Sequence, residues 1–135
     1  MICIDSNIWI YYLSKKTPEH EYVREKVREL ILKEEILSNT SIVLEVAHYF
    51  RLLPKDELER LLNSLLGLSN LRLVEIDAEL LRTSISFLTK YASLGIGGRD
   101  ATVLAAMDSA GTKQIITHDY VFKRLQYLDV IDPIP

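Results

Sequence analysis

The run Met1-Ile-Cys-Ile4 is uninterrupted in its apolar character and stops at Asp5, the pattern of a buried strand. From Glu19 to Lys33, Val23, Val27, Leu30 and Ile31 recur at helical spacing among Glu, Lys and Arg, with Pro18 near the first turn, which predicts an amphipathic helix. Glu35 to Ser38 reads as a second strand, and Asn39, Thr40 and Ser41 then offer N-caps for a helix over Ile42–Phe50. Pro54 and Asp56 open a helix carrying Leu58, Leu61, Leu62, Leu65 and Leu66, which Gly67, Ser69 and Asn70 end. Leu71 to Ile76 alternates like a strand, and Asp77 caps a helix with Leu81, Ile85 and Leu88 on one face. Gly95, Gly97 and Gly98 break that helix and lead into an Ala-rich one over Asp100–Met107, stopped by Gly111. Gln114–Thr117 is a strand, Asp119–Leu125 a short helix, and Val130-Ile131 a last strand before Pro133 and Pro135.

Alternating strands and helices predict an α/β fold, a mostly parallel sheet with helices on both faces. The 135 residues suit a single domain spanning 1–135, with no internal repeat, low-complexity tract or linker to divide it.

The acids at element boundaries carry the chemistry. Asp5 follows the first strand directly, and Asp119 follows the strand ending at Thr117. Ligands of parallel open sheets bind at the carboxyl ends of strands, so both should face one crevice. Asp100 starts a helix after a Gly-rich turn, and Glu45 sits inside an apolar helical stretch, where a lone charge demands a partner. Each has a simpler explanation: Asp5, Asp100 and Asp119 as turn residues or helix caps, Glu45 in an ion pair across a helix contact. Together, four converging carboxylates would repel one another, and the pattern sets no lysine or arginine among them. A hard divalent cation, Mg²⁺ or Mn²⁺, would neutralise them and could activate water against a phosphodiester.

The formal charge of −3 bears on the substrate. With four of the 19 acids in one metal site, 15 remain against 16 Lys and Arg, so RNA is not excluded, although binding through a strong positive field is. The lone Cys3 lies in an apolar run and predicts a buried, inert thiol in a reducing compartment. Neither a leader peptide nor a long uncharged apolar run is present, which predicts a cytoplasmic protein with no membrane association.

With these acids in place, the chain resembles a PIN-domain ribonuclease, in particular the VapC-type toxins of prokaryotic toxin–antitoxin pairs, over nearly its whole length. Ile4-Asp5-Ser6-Asn7-Ile8 is similar to the family's strand followed by Asp-Ser/Thr-Asn. Ser41-Ile-Val-Leu-Glu45-Val matches the helix presenting its glutamate, Asp100-Ala101 its third acid, and Thr117-His-Asp119-Tyr-Val-Phe122 its Thr-x-Asp-x-x-Phe segment. None of these motifs is specific alone; their order, spacing and the chain length carry the match. The resemblance implies a three-layer α/β/α sandwich and endonucleolytic, Mg²⁺- or Mn²⁺-dependent cleavage of RNA. Metal would be held by Asp5, Glu45, Asp100 and Asp119, with Ser6, Asn7 and Thr117 supporting by hydrogen bonds. It further implies a homodimer and inhibition by a cognate antitoxin, for which the Leu58–Leu66 helix is a candidate surface that core packing explains equally well.

Arg99, beside Asp100, is the better candidate for an RNA phosphate; Lys123 and Arg124 fit a solvated helix face, and Lys15, Lys16 and Arg51 rank lower. Trp9, Tyr11 and Tyr12 could stack on bases, but their position after a strand favours core or dimer packing. His20, His48 and His118 share no zinc-ligand spacing, and His118 should point away if its neighbours point in. Two other functions compete. A receiver-like phosphorylation domain needs paired acids after the first strand and a late lysine, and both are missing. A catalytically inert PIN-like binding module is opposed by the presence of all four acids. For a site built of carboxylates alone, Asp5→Asn or Asp100→Asn should leave the metal-free fold intact or slightly more stable.

Overall fold

The computed structural model describes residues 1–135. Its order is β1 (Ile2–Ile4), α1 (Ser6–Leu13), α2 (His20–Lys33), β2 (Ile36–Asn39), α3 (Thr40–Tyr49), α4 (Lys55–Leu66), β3 (Leu71–Val74), α5 (Ala78–Tyr91), a 3-10 turn (Ala92–Leu94), α6 (Gly98–Ala110), β4 (Gln114–Ile116), α7 (Tyr120–Lys123) and β5 (Asp129–Ile131). The five strands form one sheet in the order β3-β2-β1-β4-β5, and every pairing is parallel. The expectation of a mostly parallel sheet is met in its strictest form.

Consecutive strand residues point to opposite faces, so a strand buried at every position is covered on both sides. All of β1 and β2 is buried, whereas the edge strands β3 and β5 are partly exposed. Helices therefore sandwich the sheet, around a core of 23 residues that includes Ile2, Ile4, Ile8, Trp9, Val27, Ile36, Leu104 and Ile116. Cys3 belongs to this core, and burial pushes its thiol far above the ordinary range, so it is inert as expected.

One element is absent from the sequence expectation: α1, directly after Asp5. Its residues Ile8 and Trp9 are buried, and Trp9 meets Tyr12 edge-on with ring centroids 6.3 Å apart. These aromatics are packing residues, as their position favoured. In α4, Leu65 is buried and Leu58 and Leu61 pack against the core, leaving Leu66 exposed. Core packing thus accounts for most of that helix's apolar excess. At the end of α6, Gly111 adopts φ 74°, the left-handed cap that glycine takes without strain. No helix is long and apolar enough to cross a membrane.

Topology locates the crevice. From β1 the chain builds outward through β2 and β3, then crosses back to place β4 and β5 on the other side of β1. The strand order reverses between β1 and β4, and ligands of open α/β sheets bind beyond the carboxyl ends of strands at such a point. Asp5 follows β1 there, and Asp119 follows β4.

Candidate active site

Asp5, Glu45, Asp100 and Asp119 come together, and what joins them is Arg99. Its Nη1 donates to Asp5 Oδ1 at 2.9 Å and its Nη2 to Asp100 Oδ1 at 3.0 Å. Nε lies 3.2 Å from Glu45 Oε1, and Nη2 lies 3.7 Å from Asp119 Oδ2. The sequence pattern set no cation among the acids, and that expectation is overturned. The reason is geometric: helix side chains lean toward the N-terminus, so an arginine in the first turn of α6 reaches back over the strand ends. Burial alone would make Arg99 easier to deprotonate, but Asp5, Glu45 and Asp100 outweigh it and hold the guanidinium above its ordinary value. It stays charged.

Capping and site membership are not alternatives for these acids. Asp5 Oδ1 accepts from the Ser6 N–H at the start of α1, Asp100 Oδ2 from the Gly97 N–H before α6, and Asp119 Oδ1 from the Val121 N–H of α7. Each helix start fixes one carboxylate oxygen and thereby aims the group at Arg99.

Asp5 is the most confined, with no solvent exposure. Its Oδ2 accepts the Thr117 hydroxyl at 2.7 Å and, more weakly, Asn7 Nδ2 at 3.5 Å. Thr117 Oγ1 in turn accepts from the Asp119 N–H at 3.0 Å and from Asn7 Nδ2 at 3.3 Å. One buried hydroxyl therefore pins Asp5, Asn7 and Asp119 together. Ser6 contributes its backbone N–H to Asp5.

A second network ties α3, which carries Glu45, to α6, which carries Arg99. Asn39 Oδ1 caps α3 through the Ile42 N–H and accepts the Ser41 hydroxyl, whose oxygen lies 3.0 Å from Thr102 Oγ1. Thr102 then donates to the Arg99 carbonyl at 2.6 Å. Asn39 and Ser41 were legible as caps, but Thr102 was not, because only the fold sets it opposite them. Replacing Thr102 by Val should cost about 1–2 kcal/mol, since the Arg99 carbonyl loses its donor and Asn39 Nδ2 its acceptor, and thermal denaturation measures it.

Asp100 carries a pH signature. Burial makes its carboxyl harder to ionise, the nearby Asp119 and Asp5 add to this, and the Gly97 N–H and Arg99 oppose it only in part. Its folded pKa is therefore raised from the ordinary 3.8. As pH rises past that ordinary value the unfolded chain ionises first, so stability falls progressively until the folded carboxyl has ionised too, and the loss stays constant above that. In EDTA, wild type should lose stability relative to Asp100→Asn as pH rises above about 4, and the melting-temperature difference between the two reads this directly.

The remaining candidates lie off the cluster. His118 Nδ1 is 3.0 Å from Asp132 Oδ2, and Lys123 donates to the same oxygen. Burial would raise the Asp132 pKa, yet Lys123, the Ile134 N–H and His118 together hold it below the ordinary range. Arg124 donates to the Leu94 carbonyl at 2.9 Å. These three basic residues are structural, and His118 turns to Asp132 as its neighbours' orientation implied.

Beside the cluster opens a groove of about 830 Å³, lined by Ser6, Asn7, Glu45, His48, Tyr49 and Arg51 among others. Glu45, His48 and Tyr49 stand at i, i+3 and i+4 on α3 and so share a face, a signal present in the sequence. Arg51, ranked low there, lies in this groove and donates to the His48 carbonyl at 2.9 Å.

With the guanidinium between them, no three acidic side chains come together as ligands of one ion. The donor set nevertheless fits a hard divalent cation. Four carboxylates face a single positive group, and Glu45 Oε2 is shielded from solvent with no hydrogen-bond partner. Oxygen ligands with surplus negative charge suit Mg²⁺ or Mn²⁺ and not the softer metals.

The family model described as PIN domain matches residues 2–127. Among solved structures, the chain is similar to VapC20 of Mycobacterium tuberculosis, described as a Sarcin-Ricin loop cleaving toxin, with 13% identity, a TM-score of 0.77, and coverage of 93% of this chain and 95% of that one. VapBC2 from Rickettsia felis, bound to a DNA fragment from its promoter, matches at 18% identity and TM-score 0.72, covering 98% of each chain. FitAcB from Neisseria gonorrhoeae matches at 20% identity and TM-score 0.71, also covering 98% of each. A comparison with curated protein sequences gives no match.

Proposed function

Since this chain belongs to the PIN-domain family, we propose that it is a metal-dependent endoribonuclease, one domain over residues 1–135, and the toxin of a toxin–antitoxin pair. The observation that carries this reading is the meeting of four acids from separate segments at the point where the strand order reverses. Asp5, Glu45, Asp100 and Asp119 would hold the metal. Bound there, Mg²⁺ or Mn²⁺ supplies charge stabilisation at the scissile phosphate and a water acidic enough to attack it.

The protein's own residues would do the positioning. Thr117 and Asn7 fix Asp5 and Asp119, and the Asn39–Ser41–Thr102 network sets Glu45 against α6. The groove offers RNA a cation at Arg51 and an aromatic ring at Tyr49, which is half exposed. Arg51→Ala should raise KM for RNA several-fold with kcat nearly unchanged, because it would touch the substrate away from the reacting phosphate; steady-state cleavage kinetics measure it. Arg99 is committed to the carboxylates and is not assigned an RNA phosphate. Being a VapC-like toxin, the protein would also form a homodimer and be held inactive in the cytoplasm by a cognate antitoxin.

A second reading, an inert PIN-like binding module, draws on one observation: the cluster already contains a cation. Incubating the purified protein with RNA in Mg²⁺, and again with excess EDTA, separates the two. Cleavage that requires the metal supports the nuclease; RNA left intact in both supports the inert module.

A further inference from the structure

We propose that Arg99 is a resident cation of the carboxylate cluster, holding the acids together in the metal-free protein and competing with a divalent ion for their oxygens. This inference rests on the metal site proposed above and adds a state to it. All three guanidinium nitrogens are engaged, with Asp5 at 2.9 Å, Asp100 at 3.0 Å, Glu45 at 3.2 Å and Asp119 at 3.7 Å. A guanidinium that only paired with its neighbour Asp100 or faced solvent would not touch acids that follow β1 and β4 and lie within α3.

Its position in the chain argues the same way. Arg99 is the second residue of α6, in a first turn where the helix dipole disfavours a positive charge. The side chain is only a quarter exposed, so it has surrendered much of its hydration as well. Carboxylates around it compensate for both, and they gain from it in turn: without Arg99 four negative groups would face one another across the strand ends.

Competition follows from the oxygens involved. Asp5 Oδ1, Asp100 Oδ1 and Glu45 Oε1 all face Arg99, and each already contacts the guanidinium. Magnesium needs ligand oxygens about 2.1 Å from its centre, hence crowded around one point. Those oxygens cannot close on a common point while a planar guanidinium separates them. Metal loading therefore requires Arg99 to withdraw from at least part of its fork.

The test uses the whole protein and Mn²⁺ as probe. Calorimetric titration of wild type, Arg99→Gln and Arg99→Lys gives the affinities, and melting in EDTA and in excess Mn²⁺ gives the stabilities. Arg99→Gln should bind Mn²⁺ about tenfold more tightly, within the ~5- to 150-fold range of coupled sites. It should also melt lower in EDTA than wild type and gain more from Mn²⁺. Arg99→Lys, which keeps the charge but not the fork, should fall between them and provides the comparison should the glutamine variant fail to fold. Arg124→Gln removes a cation that does not contact the cluster and should shift the affinity less than about threefold. Equal or weaker Mn²⁺ binding by both Arg99 variants would overturn the competition while leaving the metal site standing. Failure of wild type and of both variants to bind Mn²⁺ would overturn the metal site itself and this inference with it.

Discussion

Replacing Asp5 by Asn should lower metal-dependent RNA cleavage by about 10²-fold or more, the scale expected when a preorganised charge is removed from a reaction centre. The same change should also destabilise the metal-free protein, contrary to what a site of carboxylates alone would give. Asp5 is fully buried, and both of its oxygens are used. An asparagine can keep its carbonyl oxygen toward the Ser6 N–H and Arg99 Nη1, which sets its NH₂ against Thr117 Oγ1. That hydroxyl oxygen already accepts from the Asp119 N–H and Asn7 Nδ2, so the new donor meets donors. The flipped amide instead presents NH₂ to the Ser6 N–H and to a guanidinium. Either orientation leaves buried groups unpaired, at about 2 kcal/mol or roughly 6 °C in melting temperature. Relief of carboxylate repulsion, the basis for expecting extra stability, is small here because Arg99 already neutralises part of it. Cleavage kinetics and thermal melting in EDTA check the two halves separately.

Thr117→Val should produce the second large effect. Valine matches threonine in shape, so a fully buried site keeps its packing and loses only the hydroxyl. That hydroxyl is the shared partner of Asp5 Oδ2, the Asp119 N–H and Asn7 Nδ2. Stability should fall by about 2–4 kcal/mol, and cleavage by about 10–100-fold, the range for losing a group that orients metal ligands. Thr117→Ser, which restores the hydroxyl without the methyl, should recover most of the activity. If serine and valine behave alike, the methyl group matters and the hydrogen-bond hub does not.

The parts of this molecule that could be read from its sequence share a property: their signal is local. Asp5 and Asp119 are legible because each ends an apolar strand, and strand ends in parallel sheets mark a crevice. Asp77, Asn39 and Gly111 cap the helices they were expected to bound. What was hidden depends on contacts between distant segments or on a pattern with no period. Ser6–Leu13 is apolar nearly all round and rich in Ile, Trp and Tyr, so no polar face betrays the helix α1, and residue preference points toward a strand. Arg99 was visible as a neighbour of Asp100, yet its reach to Asp5, 94 residues away in the chain, is fixed only when α6 lands across β1. Thr102 is invisible for the same reason, its partner Ser41 lying 61 residues earlier. In the edge strand β3 the alternation from Leu71 to Ile76 is interrupted because the ladder stops at Val74, and the Ile76 N–H turns to Thr40 Oγ1 instead.

Titration of Mn²⁺ into the protein, followed by the electron paramagnetic resonance signal of the free ion, tests the shared role of the four acids most directly. Wild type should deplete that signal, and Asp5→Asn, Glu45→Gln, Asp100→Asn and Asp119→Asn should each leave it nearly undiminished. Depletion by Glu45→Gln and Asp119→Asn equal to that of wild type would contradict a common site.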